Sequence, residues 1–487
     1  MFSLDRNAAT PLADQIELRL RELIANGQMP ANARLLSIRQ LAAKLQVSPN
    51  TVVTAYDRLV ALGLIESRGT AGYFVGENAR PLTLPDAAVL EAGEEQEAVW
   101  LVQQSGDQRA GILLASGGAL PPTWLEDGVP AAAVQRGLAR ASAGMASRCP
   151  PQGLPELRER IAMVLRGSST GIAVDAGRIL TTYGGTHAID LICRAFLQPG
   201  DTVLVEDPGY FLMFDRLRKD GIRLIPITRR PDGIDLNELE AACLAHRPRM
   251  LFIQTVLHNP TGWSSSAANL HKVLMLAHKH GFLIAEDDVQ GHFHPGHATR
   301  LASLSGLDRV IYYSSFCKSL SPALRMGYIA ADPVLLKALM REKIYSVLTG
   351  SALLEYVMLE VLAAGRWRKH LDRLNAKLLA ARHASSRQLV AAGVTLDHPA
   401  EGGLFLWGSL PAEVDLNLLV QDAYRNKILL VRGATFSAGK AFDSHIRFNV
   451  AFSQQARLAD YLRERLQALS SARAALKQAG SSQVNNS

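Results

Sequence analysis

The sequence predicts a small helical module closed by a β-hairpin, followed by a large α/β unit built on a mostly parallel sheet. Three observations carry that expectation. At 487 residues the chain exceeds what one simple core fills, which predicts a small module joined to a large one. Apolar residues at helical spacing occupy the chain as far as Gly63, with a capping residue ahead of the second and third runs. Beyond residue 109, extended apolar runs alternate with helical patterns, the signature of a doubly wound sheet with helices on both faces.

In the first module, Leu12, Ile16, Leu20, Leu23 and Ile24 recur at helical spacing between Pro11 and Gly27, and Gly27 suits the left-handed position past a helix end. Ser37 is placed as the N-cap of "IRQLAAKL". Ser48 is placed as the N-cap of "PNTVVTAYDRLVALG", with Pro49 at the first helical position. So short a connection is that of a helix-turn-helix. After Gly63, "LIESRGTAGYFV" reads as two short extended runs around Gly69 and Gly72, a hairpin wing. Tyr56, Leu59 and Val60 are expected in the core of this module, which spans residues 1–76.

Residues 77–108 change character, with Pro81, Pro85 and the acidic run "EAGEEQEA", and read as a linker with some helix around Val99 to Gln103. The large unit is expected over 109–470. Its strand candidates are "RILTTY", "TVLVED", "MLFIQT", "FLIAED" and "VIYYSS", separated by helical stretches such as "THAIDLICRAF". From about residue 334 the pattern becomes helix-rich with a few strands, a smaller α+β lobe. The polar tail 471–487 is expected to be disordered.

The formal charge of +7 suits a DNA-binding face or simple solubility and decides between neither. Cys149, Cys193, Cys243 and Cys317 are far apart and unpaired in spacing, which argues against a disulfide framework or a zinc ribbon. Nothing in the sequence resembles a signal peptide or about 18 uninterrupted apolar residues, so a cytoplasmic protein with no membrane association is expected. His292, His294 and His297 are read as rim or loop histidines, and no metal is expected.

In an open parallel sheet, ligands gather beyond the carboxyl ends of the strands. After "RILTTY" come Gly184, Gly185 and Thr186 at the start of a helix, whose free N–H groups and positive dipole end favour an anion. After "MLFIQT" comes "HNPTG", after "FLIAE" comes Asp287, and after "VIYYS" come Ser315 and Lys318. Singly, each has a bland explanation as a turn, a cap or a surface charge. In this order, together with "SSFCKSLSPALRMGY", they resemble the fold-type I pyridoxal-phosphate enzymes, the aminotransferases in particular, over roughly residues 110 to 470.

That resemblance implies roles residue by residue. Lys318 would form the Schiff base with the cofactor aldehyde, since a desolvated amine near another cation sheds its proton. Ser315, Arg325, Gly185 and Thr186 would hold the phosphate. Asp287 would pair with the pyridinium nitrogen so that the ring acts as an electron sink. Asn259 would donate to the phenolic oxygen, Tyr210 would stack on the ring, and Arg447 in "SHIRFNVAF" would take a substrate carboxylate. One departure matters: the family's tyrosine shortly after the aspartate is absent from "EDDVQGHF", which has Val289 and Gln290. A glutamine amide donates a hydrogen bond but cannot share a proton as a phenol does, so slower or retuned chemistry is expected. Cys317 before the lysine, where serine is frequent, reads as a neutral packing change.

Residues 11 to 76 resemble the GntR-type winged helix. By that resemblance Arg39, Ser48, Asn50, Thr51 and the wing residues Arg68, Thr70 and Gly72 would meet double-stranded DNA. The helix that starts at Ser48 would enter the major groove, and phosphate contacts would set its register. Pro49 stands where the family often has arginine, which removes one possible contact. A GntR-type winged helix ahead of an aminotransferase-like domain is the layout of the MocR-type regulators. The layout implies a homodimeric regulator that carries pyridoxal phosphate on Lys318 and senses a small amino compound by Schiff-base exchange there. Two alternatives stand beside it, an active aminotransferase with a fused DNA-binding module and a sensor of pyridoxal phosphate itself. Gln290 favours signalling over steady turnover.

Overall fold

The structure, a computed structural model, describes residues 4–6, 10–25, 28–76, 111–144, 147–167, 169–363, 365–398, 401–439 and 441–468. These fall into two compact units, one within 1–96 and the other within 97–487. The expected linker 77–108, the expected tail 471–487 and Gly27 lie outside the described residues.

The first unit consists of helices α1 (Leu12–Ala25), α2 (Ile38–Leu45) and α3 (Pro49–Ala61) and the antiparallel hairpin β1 (Ile65–Ser67) and β2 (Tyr73–Val75). Both predicted caps form. The Ser37 hydroxyl accepts from the Gln40 N–H while the Gln40 side chain reaches back to the Ser37 N–H, closing a capping box. The Ser48 hydroxyl accepts from Thr51 N at 3.1 Å with Pro49 at the first helical position. Ile16, Leu20 and Ile24 from α1 pack with Leu41, Val52, Tyr56, Leu59, Ile65 and Val75 in one core. Val60 does not join them. It is 39% exposed, because α3 turns its Val52, Tyr56 and Leu59 stripe inward and Val60 lies past the edge of that stripe.

The second unit is built on an eight-stranded sheet. Its strands are β3 (Ile179–Thr182), β4 (Thr202–Asp207), β5 (Arg223–Arg230), β6 (Gly233–Ile234), β7 (Met250–Ile253), β8 (Leu283–Asp287), β9 (Val310–Ser315) and β10 (Gly327–Ala330), in the order β3-β10-β9-β8-β7-β4-β5-β6. Pairs β4–β5, β4–β7, β7–β8 and β8–β9 are parallel. The short β10 runs antiparallel between β3 and β9, and β6 pairs antiparallel with β5. Strands β5 and β10 are not among those that the apolar runs predict. The central strands are buried on both faces between two apolar clusters, as helix-covered parallel strands must be. The sheet runs outward one way through β4, β5 and β6 and the other way through β7, β8 and β9. The crevice where it turns is where a doubly wound fold binds ligands.

The helices Pro333–Val347 and Ala352–Ala363 pack on this sheet. The smaller lobe begins along the helix Arg366–Ala391 and centres on a three-stranded antiparallel sheet, β11 (Thr395–Leu396), β12 (Phe405–Ser409) and β13 (His445–Asn449). It also takes in Leu113, Ala115 and Leu120 from the start of the unit, where Leu113 N donates to Lys427 O and Ser116 N to Leu429 O. No helix among the described residues is long and apolar enough to cross a membrane.

Candidate functional site

The carboxyl ends of β3, β4, β7, β8 and β9 and residues of the smaller lobe enclose a cavity of about 660 Å³. Every residue expected in the large unit lines it: Gly185, Thr186, Tyr210, Asn259, Asp287, Gln290, Ser315, Lys318, Arg325 and Arg447.

At one end, the helix Gly184–Phe196 starts with no capping side chain, which leaves its first N–H groups directed at the cavity. Gly184 has φ +79°, and a Cβ there would meet Arg325 Nη2 at 3.0 Å and Cys317 Sγ at 3.2 Å. Gly327 allows β10 to approach equally closely, since its Cβ would lie 2.8 Å from the Gly184 backbone. Arg325 itself has φ +46°, an uncommon conformation for a side-chain-bearing residue. Its Nη2 donates to Tyr183 O at 3.1 Å, which pins the guanidinium beside the helix start. The Ser315 hydroxyl accepts from Cys317 N at 3.1 Å, and Thr186 and Tyr210 line the same cavity. A helix N-terminus, a guanidinium and hydroxyls in one corner form an anion site.

Asp287 ends β8, its Oδ1 accepting from Val289 N at 2.8 Å and its Oδ2 from the Tyr313 hydroxyl at 3.2 Å. Burial pushes its carboxyl up to about 6, against the pull of the Val289 N–H and the Lys318 charge. Lys318, on the loop after β9, has no acceptor within hydrogen-bond reach among the described residues, and its Nζ lies 5.9 Å from the Phe405 ring centroid. Burial, reinforced by the nearby Arg447 charge, lowers this amine to about 8. Gln290 is buried, and neither end of its amide has a partner in the protein. The Ser116 hydroxyl, also in the lining, is buried and unpartnered too.

Arg447 is buried between the rings of Phe405 and Phe436, 4.3 and 4.5 Å from their centroids. It donates from Nη1 to Asn259 Oδ1 at 2.7 Å and from Nη2 to Ser116 O at 2.5 Å, and no carboxylate among the described residues pairs with it. Burial lowers it to about 9. Asn259 is held in turn by its N–H, which donates to Gln254 Oε1 at 2.6 Å.

Sequence reasoning missed Tyr313, Ser116 and the aromatic pair around Arg447. Tyr313 carries a signal, since it lies two residues before Ser315 on β9 and therefore on the same face. Ser116 carries none, because it reaches the cavity through hydrogen bonds to the distant Leu429 and Arg447. Beneath the site, Asp288 forms a buried ion pair with Arg300 (2.8 Å) and accepts from the Tyr312 hydroxyl at 2.6 Å. His292 is stacked on Phe316, 5.4 Å between centroids, and burial lowers its imidazole to about 4. His294 approaches Glu401 at 3.0 Å.

In the first unit, Arg39 on α2 is exposed, as are Ser48 and Asn50 at the start of α3, while Thr51 and Gly72 are half-buried. The Ser48 hydroxyl is occupied by its capping bond and by the Thr51 hydroxyl at 2.8 Å. Arg68 on the wing lies over the Phe74 ring at 4.7 Å and is paired with Glu66. Phosphate would therefore have to compete with Glu66 for it. Gly72 has φ +100°, the conformation that the tight wing turn requires. The Thr70 side chain lies outside the described part.

Comparison with known proteins agrees with both units. Residues 113–466 match the family model for aminotransferase class I and II, and residues 12–75 the model for bacterial regulatory proteins of the gntR family. The uncharacterized HTH-type transcriptional regulator YdcR of Escherichia coli is 29% identical over 453 residues, 90% of this chain and 94% of that protein. The probable rhizopine catabolism regulatory protein MocR of Rhizobium meliloti is 28% identical over 425 residues, 82% of each. Among solved structures, LysN, the α-aminoadipate aminotransferase of Thermus thermophilus complexed with N-(5'-phosphopyridoxyl)-L-leucine, superposes with a TM-score of 0.69 at 26% identity. It covers 79% of this chain and 99% of that one. The chain thus belongs to the aminotransferase class I and II family and, with its gntR-family segment ahead of that domain, is a GntR/MocR-type regulator with an aminotransferase-like domain.

Proposed function

We propose that the protein is a DNA-binding transcriptional regulator that holds pyridoxal phosphate on Lys318 and senses a small amino compound by its displacement of that lysine. The observation that carries this reading is the convergence of an unpartnered amine, a half-buried carboxylate and an anion corner on one cavity of about 660 Å³. The residues fit the cofactor. The helix start with Gly185 and Thr186, Ser315 and Arg325 would hold its phosphate, Asp287 its pyridine nitrogen, Asn259 and the orphaned Gln290 amide its phenolic oxygen, and Tyr210 a ring edge or face. When bound, pyridoxal phosphate supplies an aldehyde that an amine can capture and a ring that withdraws electrons. Arg447, a buried cation with no anionic partner among the described residues, would bind the carboxylate of the amino compound.

The winged-helix unit would bind double-stranded DNA through α3 and the wing, with Arg39, Ser48, Asn50 and Arg68 exposed among the expected contacts. A homodimer reading two half-sites fits this layout, since two copies of one module match a two-fold operator. The effector would act by favouring one of two arrangements of the protein.

Two experiments test this. Borohydride reduction of the full-length protein loaded with pyridoxal phosphate, followed by peptide mass mapping, is expected to place the pyridoxyl label on Lys318, and Lys318→Ala should lose it. A label on another lysine would sink the assignment. Footprinting on the protein's own upstream region, with and without cofactor and amino acids, is expected to show an effector-dependent change. A second reading, an active aminotransferase, is favoured by the complete set of Lys318, Asp287 and Arg447. Steady turnover of an amino acid with 2-oxoglutarate would support it.

A further inference from the structure

One wall of the cavity is apolar. Phe211, Leu429 and Val431 are all buried and belong to the same cluster as Phe436, the ring on which the Arg447 guanidinium lies. Leu120, Leu125 and Leu212 extend this surface around the lining. Only three cations, Lys318, Arg325 and Arg447, line the cavity among the described residues, and Asp287 is its only carboxylate. Arg325 is held at the helix start through Tyr183 O, and Asp287 by the Val289 N–H and the Tyr313 hydroxyl. Once Arg447 has met one carboxylate, the described residues of the wall beside it offer no charged group to a second.

We infer that the effector is an α-amino acid with an apolar side chain of several carbons, its carboxylate on Arg447 and its side chain against Phe211, Leu429 and Val431. This rests on the reading of the Lys318 cavity given above and adds to it the class of ligand. A charged side chain would lose its water against these residues with no partner in return. An apolar one gains with each carbon buried, at about 0.8 kcal/mol per methylene, which is about fourfold in affinity.

The test uses the full-length protein loaded with pyridoxal phosphate, titrated to equilibrium with alanine, 2-aminobutyrate, norvaline and norleucine, and separately with aspartate, glutamate and lysine. The change in absorbance of the bound cofactor is the readout. Affinity is expected to rise about fourfold per methylene along the first series, with norvaline binding more tightly than glutamate. A flat series, or glutamate binding more tightly than norvaline, overturns the inference while leaving the cofactor reading intact. Leu429→Arg places a cation in the wall and is expected to reverse the preference toward glutamate. Val431→Ala, a milder change, should weaken norleucine but not alanine, and equal losses for both would count against the wall. Failure of every amino acid to perturb the cofactor, or a pyridoxyl label on a lysine other than Lys318, overturns the underlying reading and this inference with it.

Discussion

Arg447 on β13 donates to Asn259 Oδ1 at 2.7 Å, a hydrogen bond that joins the smaller lobe to the loop after β7. The same guanidinium reaches Ser116 O and lies between Phe405 and Phe436. It is therefore fixed in plane before any ligand arrives, which lowers the ordering cost of binding a carboxylate. Lysine keeps the charge but not the planar fork or the stacking. Arg447→Lys is expected to weaken amino acid binding about tenfold to a hundredfold, the worth of one charged hydrogen bond, while cofactor loading persists. Equilibrium titration of wild type and variant decides it, and an unchanged dissociation constant would remove Arg447 from carboxylate binding.

The Lys318 amine predicts a pH dependence. Burial and the neighbouring Arg447 charge lower it from the usual lysine value to about 8, against the opposing pull of Asp287. Only the neutral amine attacks an aldehyde. Its fraction is about 1% at pH 6 and about half at pH 8, so capture of pyridoxal phosphate by the apo-protein should accelerate about fiftyfold over that interval. Above pH 9 the rate should level off. A rate that still climbs tenfold between pH 9 and 10 would identify an ordinary, solvated lysine.

Much of this site was legible because its parts sit at strand ends. An apolar run of four to six residues followed by glycine, asparagine, aspartate or lysine is a local pattern, and Gly185, Asn259, Asp287, Ser315 and Lys318 could each be read from it. Other parts depend on contacts distant in sequence. Residues 116–120 line the cavity only because the stretch 427–429 and β13 hold residues 113–117 by hydrogen bonds. Strand β5 contains Pro226 and three arginines and is half-exposed along much of its length, so it lacks the apolar run that marks its neighbours. Strand β10 is four residues long and follows directly on the motif around Arg325. The orphaned amide of Gln290 could not be anticipated either, since partners are a property of the packed interior.

The Asp288–Arg300 pair beneath the site carries a stability prediction. Both side chains are buried, and Arg300 also donates to Ser169 O at 2.9 Å and Ala298 O at 2.8 Å. Arg300→Met would leave the Asp288 carboxylate charged and buried, and removing one partner of such a pair costs about 3–5 kcal/mol. Urea unfolding should show that loss. The double variant Asp288→Asn/Arg300→Met should recover part of it, because the uncompensated charge is gone. No recovery would mean that Arg300 acts through its backbone acceptors alone.

Adjacent residues of α3 should behave oppositely. Leu59 is fully buried with Val52, Ala55 and Tyr56, whereas Val60 is 39% exposed. Leu59→Ala leaves a cavity in a small core and is expected to cost about 2–5 kcal/mol. Val60→Ala removes little buried area and replaces a β-branched residue with a better helix former, so its effect should stay within about 0.5 kcal/mol. The difference bears on DNA reading, since the helix position that buries Leu59 also exposes Asn50 at the other end of α3. One residue along a helix is a rotation of about 100°. Comparable losses for both variants in thermal unfolding would mean that α3 is rotated from this position, and Asn50 would then no longer face outward for a base edge.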